Sequence, residues 1–297
     1  MRKGALHIHS LTEKAYAKLN ISLDVVSRRP DGYHEMRMIM QTVSLCDEVT
    51  VSLRHDGTIS IRTNLRYLPC DDRNIAVKAA KAFFANTDTA SSGADISITK
   101  HIPVCAGMGG GSADGAAVLR ALNKLTGKPL NRRELESLGN SLGSDIPFCV
   151  AGGTSLAEGK GEILTDLTPL PACIFVIAKP RFSVSTPELF TKIDLCSVRY
   201  HPDTQGVLSS IKTRDLKGIC QRMYNVFENV LPPKPDDIPK IKGILLDCGA
   251  LGTVMTGTGS AVFGVFDDEE KAKKAQSYLA QQYSDVFLAE PQGRLDI

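Results

Sequence analysis

The chain has 297 residues, 42% of them hydrophobic and 23% charged, which is the makeup of a globular protein large enough for two ordinary domains and a sizeable core. Its 35 basic and 33 acidic side chains nearly cancel to a formal charge of +2, so the basic face or stripe that nucleic-acid binding needs is not expected. No apolar stretch reaches the ~18 residues of a bilayer span, and Met1 to Lys14 lack the apolar core of a secretory signal, so the expectation is a cytoplasmic chain with no membrane partner.

The first predicted element is a strand over residues 14–28, where Leu19, Ile21, Leu23 and Val25 alternate with Lys18, Asn20, Ser22 and Asp24. That alternation sends one face to the core and sets Lys18 beside Asn20 on the other. Arg29-Pro30-Asp31-Gly32 ends the strand, because Pro presets φ and Gly accepts a positive φ. Strands follow at 36–43, 48–53, 58–62 and 95–100, with a helix at 74–84. A glycine-rich loop, 105–112, runs into a helix with the stripe Val118, Leu119, Leu122 and Leu125, ended by Gly127 and Pro129. Asn131 with Glu134 is a capping box opening the next helix, striped by Leu135, Leu138 and Leu142 and closed at Gly143.

Pro-rich 166–171 lacks periodicity and is the best candidate boundary, dividing the chain into 1–165 and 166–297. Beyond it the pattern predicts a strand at 174–178, helices at 186–193, 205–213, 215–224 and 235–248, and a strand–turn–strand around 253–266. A helix at 268–282 and a strand at 285–289 follow. The elements do not alternate strictly, which argues α+β over a doubly wound sheet. The eight cysteines are scattered with no Cys-x-x-Cys pair, so reduced, mostly buried thiols are expected, without disulfides or a metal cluster.

Chemistry concentrates at Pro103-Val104-Cys105-Ala106-Gly107-Met108-Gly109-Gly110-Gly111-Ser112. Four glycines within five residues, opening a helix, offer bare backbone N–H groups at a positive helix end, an arrangement that suits phosphate. A merely flexible turn capped by Ser112 is the plain alternative. Ser112 can cap the helix, bond a phosphate oxygen or sit on a nucleotide's magnesium. No Gly-Lys-Ser/Thr follows as in a Walker loop, and residue 114 is Asp where a dinucleotide fingerprint has glycine. Taken alone, Asp145 before a Pro reads as a helix cap, and Lys18 as part of a solvated face.

Residues 103–113 resemble the central motif of the GHMP kinases, with Met108 where the family has Leu and Ala113 where it has a second Ser. Ala17-Lys18-Leu19-Asn20 with Arg29-Pro30-Asp31-Gly32-Tyr33-His34, and Leu142-Gly143-Ser144-Asp145-Ile146-Pro147-Phe148, are similar to signatures of the diphosphocytidyl-methylerythritol kinases within that superfamily. Thr256-Gly257-Thr258-Gly259-Ser260 resembles the third glycine motif. The resemblance implies an ATP- and Mg2+-dependent kinase in a two-domain α+β fold. Its first domain would be ribosomal-protein-like with a left-handed β-α-β crossover, its second ferredoxin-like, and the site would lie in the cleft between them.

It further implies Asp145 as general base and Lys18 beside it, with residues 103–113, Asn74 and Lys100 near the nucleotide. Asn20 would lie near the sugar-alcohol hydroxyls, Tyr33 and Phe182 around a cytosine, and His34 at its polar edge. Asp114 and Asp24 are also available to magnesium. The implied substrate is 4-diphosphocytidyl-2-C-methyl-D-erythritol, and the expected state a monomer or weak homodimer. The alternatives are a homoserine or mevalonate type of small-molecule kinase, a non-catalytic nucleotide-binding regulator, and an RNA-binding module on the ribosomal-like fold.

Overall fold

A computed structural model describes residues 9–89, 91–196, 198, 200–231 and 236–297; the N-terminal extension of about eight residues and the start of the helix expected at 235 lie outside them. Two long strands, β1 (Ser10–Arg28) and β2 (His34–Arg54), form an antiparallel spine. The two strands expected within β2 are one, because the ladder continues through Cys46 and Asp47 opposite Tyr16 and Ala15. The turn between β1 and β2 closes through Arg29 N donating to Tyr33 O at 2.8 Å, with Gly32 at φ +85°.

β3 (Ile59–Thr63), α1 (Ile75–Ala85) and β4 (Gly93–Thr99) follow, with β3 and β4 parallel, so α1 is the crossover; β4 also pairs antiparallel with β2. α1 starts on Asn74, whose Oδ1 accepts from Ala76 N at 3.0 Å. Next come α2 (Gly110–Leu125), α3 (Arg132–Asn140) and α4 (Ile146–Ala151). α3 opens on Asn131 with both halves of the capping box formed. A hairpin of β5 (Thr154–Gly159) and β6 (Ile163–Asp166) adds to β2. The proposed boundary therefore falls at the last residue of β6.

α2 is buried almost all round between β1, α1 and α4. That environment holds a charge: Arg120, 1% exposed, donates to Glu13 Oε2 at 3.2 Å, to Lys14 O at 2.8 Å and to Cys149 O at 2.7 Å. With its donors satisfied the guanidinium is tolerated there. It ties α2 to β1 and to α4.

The second layer holds β7 (Ile174–Lys179), α5 (Thr186–Leu195), α6 (Thr204–Lys212), α7 (Leu216–Cys220), β8 (Tyr224–Asn225) and a 3-10 turn (Val226–Val230). α8 (Asp237–Asp247), β9 (Gly252–Met255), β10 (Val262–Phe266), α9 (Glu269–Ala280) and β11 (Asp285–Ala289) complete it. The sheet order β11-β7-β10-β9, antiparallel throughout, is that of a ferredoxin-like βαββαβ unit with extra helices after its first strand. Every residue of β10 is buried, under α8 and α9. The fold is α+β, as the irregular order of elements predicts.

Two segments of the second half return to the first sheet. β8 pairs parallel with β1, Ser22 opposite Tyr224, making the order β3-β4-β2-β1-β8. After β11, Pro291 bridges Val43, Arg294 bridges Gly152, and Leu295 N donates to Ala151 O at 3.0 Å. All eight cysteines are free, but only Cys149, Cys173 and Cys220 are buried; Cys70, Cys105 and Cys196 lie in exposed loops, so the expectation of mostly buried thiols is corrected. Among the described residues no helix is long and apolar enough to cross a membrane.

Candidate active site

The glycine loop leaves β4 and enters α2 at Gly109, which caps the helix in the left-handed region (φ +69°). The first intrahelical bond runs from Ala113 N to Gly109 O at 2.8 Å, so the N–H groups of Gly110, Gly111 and Ser112 precede it and face outward from the positive end of the helix. Ser112 is the third helical residue and does not cap; the glycine backbone takes that position, leaving the hydroxyl for a ligand. A cleft of about 380 Å³ opens here, lined by residues 103–112 together with Asn74, Ile75, Lys100 and Asp114. Met108 and Ala113, the two departures from the family motif, are each 1% exposed.

Beneath the loop lies a buried ionic cluster. Lys100 Nζ is 2.5 Å from Asp47 Oδ2 and 2.7 Å from Asp114 Oδ2, with the lysine side chain 4% exposed. Asp47 Oδ1 also accepts from the N–H groups of His101 and Ile102, at 2.5 and 2.8 Å. The cluster thus grips the loop where it begins and, through Asp114, where it becomes helix. Burial lowers the affinity of Lys100 for its proton, but Asp114 and Asp47 outweigh it and hold the ammonium above its ordinary value. Burial pushes the Asp114 carboxyl up to about 7, Lys100 opposing and Asp47 adding to the shift, and Asp114 Oδ1 has no hydrogen-bond partner. The structure therefore gives Lys100 a place under the loop, its ammonium held by carboxylates.

The third glycine motif packs directly on the loop. A Cβ on Gly107 would stand 2.2 Å from Thr256 O, and one on Gly257 would stand 2.7 Å from Gly107 O. Ala261 N donates to Ala106 O at 3.2 Å, and Thr256 Oγ1 to Gly107 O at 3.3 Å. Only bare backbone allows this approach. Asn225, the second residue of β8, is buried with Nδ2 donating to Met255 O and Gly257 O, both at 2.7 Å, which anchors the motif from behind.

Lys18 and Asn20 sit between register shifts in β1, one between Tyr16 and Lys18 and another between Asn20 and Ser22. Such irregularities re-aim side chains, and here both residues are buried, at 4% and 0% exposure. The reading of Lys18 as a solvated face is thus excluded. Its stem runs under Gly109, where an added Cβ would lie 3.1 Å from Lys18 Cγ, and its ammonium lies 2.6 Å from Asn20 Oδ1 and 3.8 Å from Asp145 Oδ2. Asn20 Oδ1 also accepts from Gly257 N at 3.0 Å, while its Nδ2 faces Met38 Sδ at 3.4 Å. Asp145 precedes α4 in the cap position, yet its side chain makes no capping bond and stays one-third exposed. A carboxylate spared from capping and set beside a buried ammonium is suited to taking up a proton.

The aromatic residues are more dispersed. Tyr33 is exposed, with Lys160 Nζ 4.6 Å above its ring. His34 stacks on Phe190 at 4.6 Å, and its Nε2 lies 2.8 Å from Asp194 Oδ1. That hydrogen bond, then Arg28, holds the Asp194 carboxyl below the usual range. Phe182 is half-buried against the core, and its carbonyl accepts from Ser260 Oγ at 2.6 Å. Among the described residues no ring contact joins Phe182 to Tyr33. Asp24 is held by His201 Nδ1 at 2.8 Å, and no group of three or more metal-ligating side chains occurs among the described residues. Sequence reading missed Asp47, Asn225, Asp194 and Lys160, none of which lies inside a motif.

The family model of the GHMP kinases N terminal domain matches residues 74–153, and that of the GHMP kinases C terminal matches residues 207–285. The chain is 46% identical, over 93% of its length and 98% of the relative's, to a 4-diphosphocytidyl-2-C-methyl-D-erythritol kinase of Clostridium botulinum (strain Alaska E43 / Type E3). It is 42% identical to the enzyme of that name from Clostridium novyi (strain NT), with the same coverage. A crystal structure of a 4-(cytidine 5'-diphospho)-2C-methyl-D-erythritol kinase superposes with a TM-score of 0.78 at 28% identity, covering 95% of this chain and 100% of that one. A homoserine kinase from Cytophaga hutchinsonii shares the fold, with a TM-score of 0.76 at 20% identity and full coverage of both chains. The chain belongs to the GHMP kinases, in the group formed by the 4-diphosphocytidyl-2-C-methyl-D-erythritol kinases.

Proposed function

We propose that the chain transfers the γ-phosphoryl group of ATP to the 2-hydroxyl of 4-diphosphocytidyl-2-C-methyl-D-erythritol, a step in the non-mevalonate route to isoprenoid precursors, as a cytoplasmic enzyme of two domains divided near residue 165. The observation that carries this reading is the buried Lys18 ammonium beside Asp145, with the lysine stem lying under Gly109 at the mouth of the phosphate loop.

Bound ATP and Mg2+ supply the phosphoryl group and charge neutralisation. The N–H groups of Gly110, Gly111 and Ser112 hold phosphate oxygens, and the Ser112 hydroxyl is the group of the loop fit to meet the metal. Asp145 accepts the proton of the substrate hydroxyl as its oxygen bonds to phosphorus and the bond to the ADP oxygen breaks. Lys18, 3.8 Å from Asp145, stabilises the charge that develops on the phosphoryl oxygens. Tyr33 and Phe182 flank the cytosine, His34 reads its edge, and Asn20, bonded to Lys18, steadies the acceptor end.

The test is ADP release with ATP, Mg2+ and the cytidine-diphospho substrate, run beside homoserine, mevalonate and galactose. Turnover confined to the first substrate supports the proposal. Turnover with another alcohol keeps the phosphate loop and overturns the roles of Tyr33 and His34. ATP binding without any turnover supports a regulator instead.

A further inference from the structure

His34 stands where the two layers meet. It opens β2, opposite Arg28 at the end of β1, while the side chains that hold it come from α5 in the second layer. Phe190 and Asp194 lie four residues apart on α5 and so share one face of that helix. Phe190 stacks on the imidazole at 4.6 Å with the ring planes 22° apart, and Phe227 backs Phe190 edge-on at 5.1 Å. Asp194 Oδ1 lies 2.8 Å from His34 Nε2. The first contact fixes the plane of the imidazole and the second its rotation within that plane, leaving the side chain 9% exposed.

The carboxylate also decides where the ring carries its proton. Arg28 Nη1 stands 3.4 Å from Asp194 Oδ2, and the bond to His34, with Arg28 adding to it, holds the Asp194 carboxyl below the usual range. An ionised carboxylate only accepts, so Nε2 must be the donor of this pair. In the neutral ring Nδ1 is then a bare lone pair, and among the described residues nothing donates to it.

We propose that Asp194 is a positioning residue that makes His34 select cytosine over uracil. The inference rests on the reading in which the base lies at Tyr33 and His34 meets its edge. Flanking rings see only a π-face that both pyrimidines share, so discrimination falls to that edge. Cytosine presents an exocyclic amine at C4, a donor, where uracil presents a carbonyl, an acceptor. A bare Nδ1 accepts from the amine but meets the carbonyl lone pair to lone pair, which leaves the wrong base unpaired and repelled. Without the carboxylate the ring exchanges tautomers, an Nδ1–H becomes available, and the uracil carbonyl finds a donor.

The test uses the full chain and Asp194→Asn, whose carboxamide can donate to Nε2 as well as accept from it. The parent is titrated with cytidine diphosphate and uridine diphosphate and is expected to favour the first. In Asp194→Asn the ratio of the two affinities falls about 10-fold or more, the worth of one hydrogen bond matched or mismatched. The kcat/KM values for the cytidine-diphospho substrate and its uridine counterpart shift in the same sense, with the KM for ATP unchanged. Nitrogen-15 NMR of His34, assigned by the signal lost in His34→Gln, reads the tautomer directly: Nε2–H in the parent and a mixture in the variant. Equal weakening for both diphosphates overturns the proposal, since Asp194 would then only tie α5 to β2. A parent indifferent to the base overturns it, as does an Nδ1–H tautomer in the parent. An unchanged ratio in Asp194→Asn, in a parent that turns over the cytidine-diphospho substrate, overturns this inference alone. A parent inactive on that substrate overturns the functional reading and this inference with it.

Discussion

Oδ1 of Asn20 accepts from the Lys18 ammonium at 2.6 Å, closer than Asp145 comes to the same ammonium, and from Gly257 N at 3.0 Å. One carboxamide oxygen thus sets the position of Lys18 relative to the third glycine motif. Replacing Asn20 by Ala is expected to lower kcat by about 10- to 100-fold, because misplacement of a catalytic group costs on that order, with a smaller effect on the KM for ATP. Steady-state kinetics decide; an unchanged kcat would show that Lys18 needs no such support.

Asp145 is expected to separate catalysis from stability. Its side chain caps nothing, so Asp145→Asn keeps the thermal midpoint of the parent while kcat falls by ~10²–10⁴-fold, the usual worth of a general base. A large loss of stability in this variant would return Asp145 to the role of a structural cap.

Two glycines of the same loop are predicted to fail differently. Gly107→Ala forces a methyl to within 2.2 Å of a backbone oxygen at a positive φ, so it destabilises the fold by about 2 kcal/mol or more. Gly111→Ala meets only Ile75 Cγ2 at 3.7 Å, so the melting temperature holds while the methyl in the cleft raises the KM for ATP. Melting curves and ATP kinetics on the pair check both.

Asp114 predicts a pH dependence of stability. Its carboxyl rises from an ordinary 3.8 to about 7 in the folded chain. Between those values the unfolded chain has released the proton and the folded chain keeps it, so rising pH erodes stability across this window, at up to about 1.4 kcal/mol per unit. Asn at 114 carries no such proton. The melting temperature of Asp114→Asn, measured against the parent, is therefore expected to be more favourable at pH 8 than at pH 5. The same offset at both pH values would show that Asp114 is ionised throughout.

Much of the frame was legible where local chemistry is unambiguous. The capping box at Asn131 and Glu134, the apolar stripe of α2 and the strand Asp285–Ala289 all stand as read. α4 escaped because Ile146–Ala151 is six residues long and buried on every side, which leaves no period to detect. β8 escaped because it has two residues and is defined by its partner β1. In the candidate site, the motifs led to Lys18, Asp145 and the loop, since their spacing is local. Asp47 looks like any turn residue in Leu45-Cys46-Asp47-Glu48, and only folding brings it to Lys100, 53 positions away. Of the three options open to Ser112, the cap falls away because Gly109, at positive φ, sets the helix start three residues earlier.

The returning segments change how the cleft can behave mechanically. Besides the bonds of the third glycine motif to the loop, the ferredoxin-like layer is tied to the large sheet by the linker after β6, the β8 pairing with β1, and the tail that bridges Val43 and Gly152. A body mounted at several separated points cannot swing on a single hinge. The tail bonds Ala151 and Gly152, at the end of the helix that Asp145 begins, with Arg294 donating to Gly152 O at 2.6 Å. Cutting the chain after Ala289, 144 positions beyond Asp145, would therefore loosen the start of α4 without touching the cleft itself.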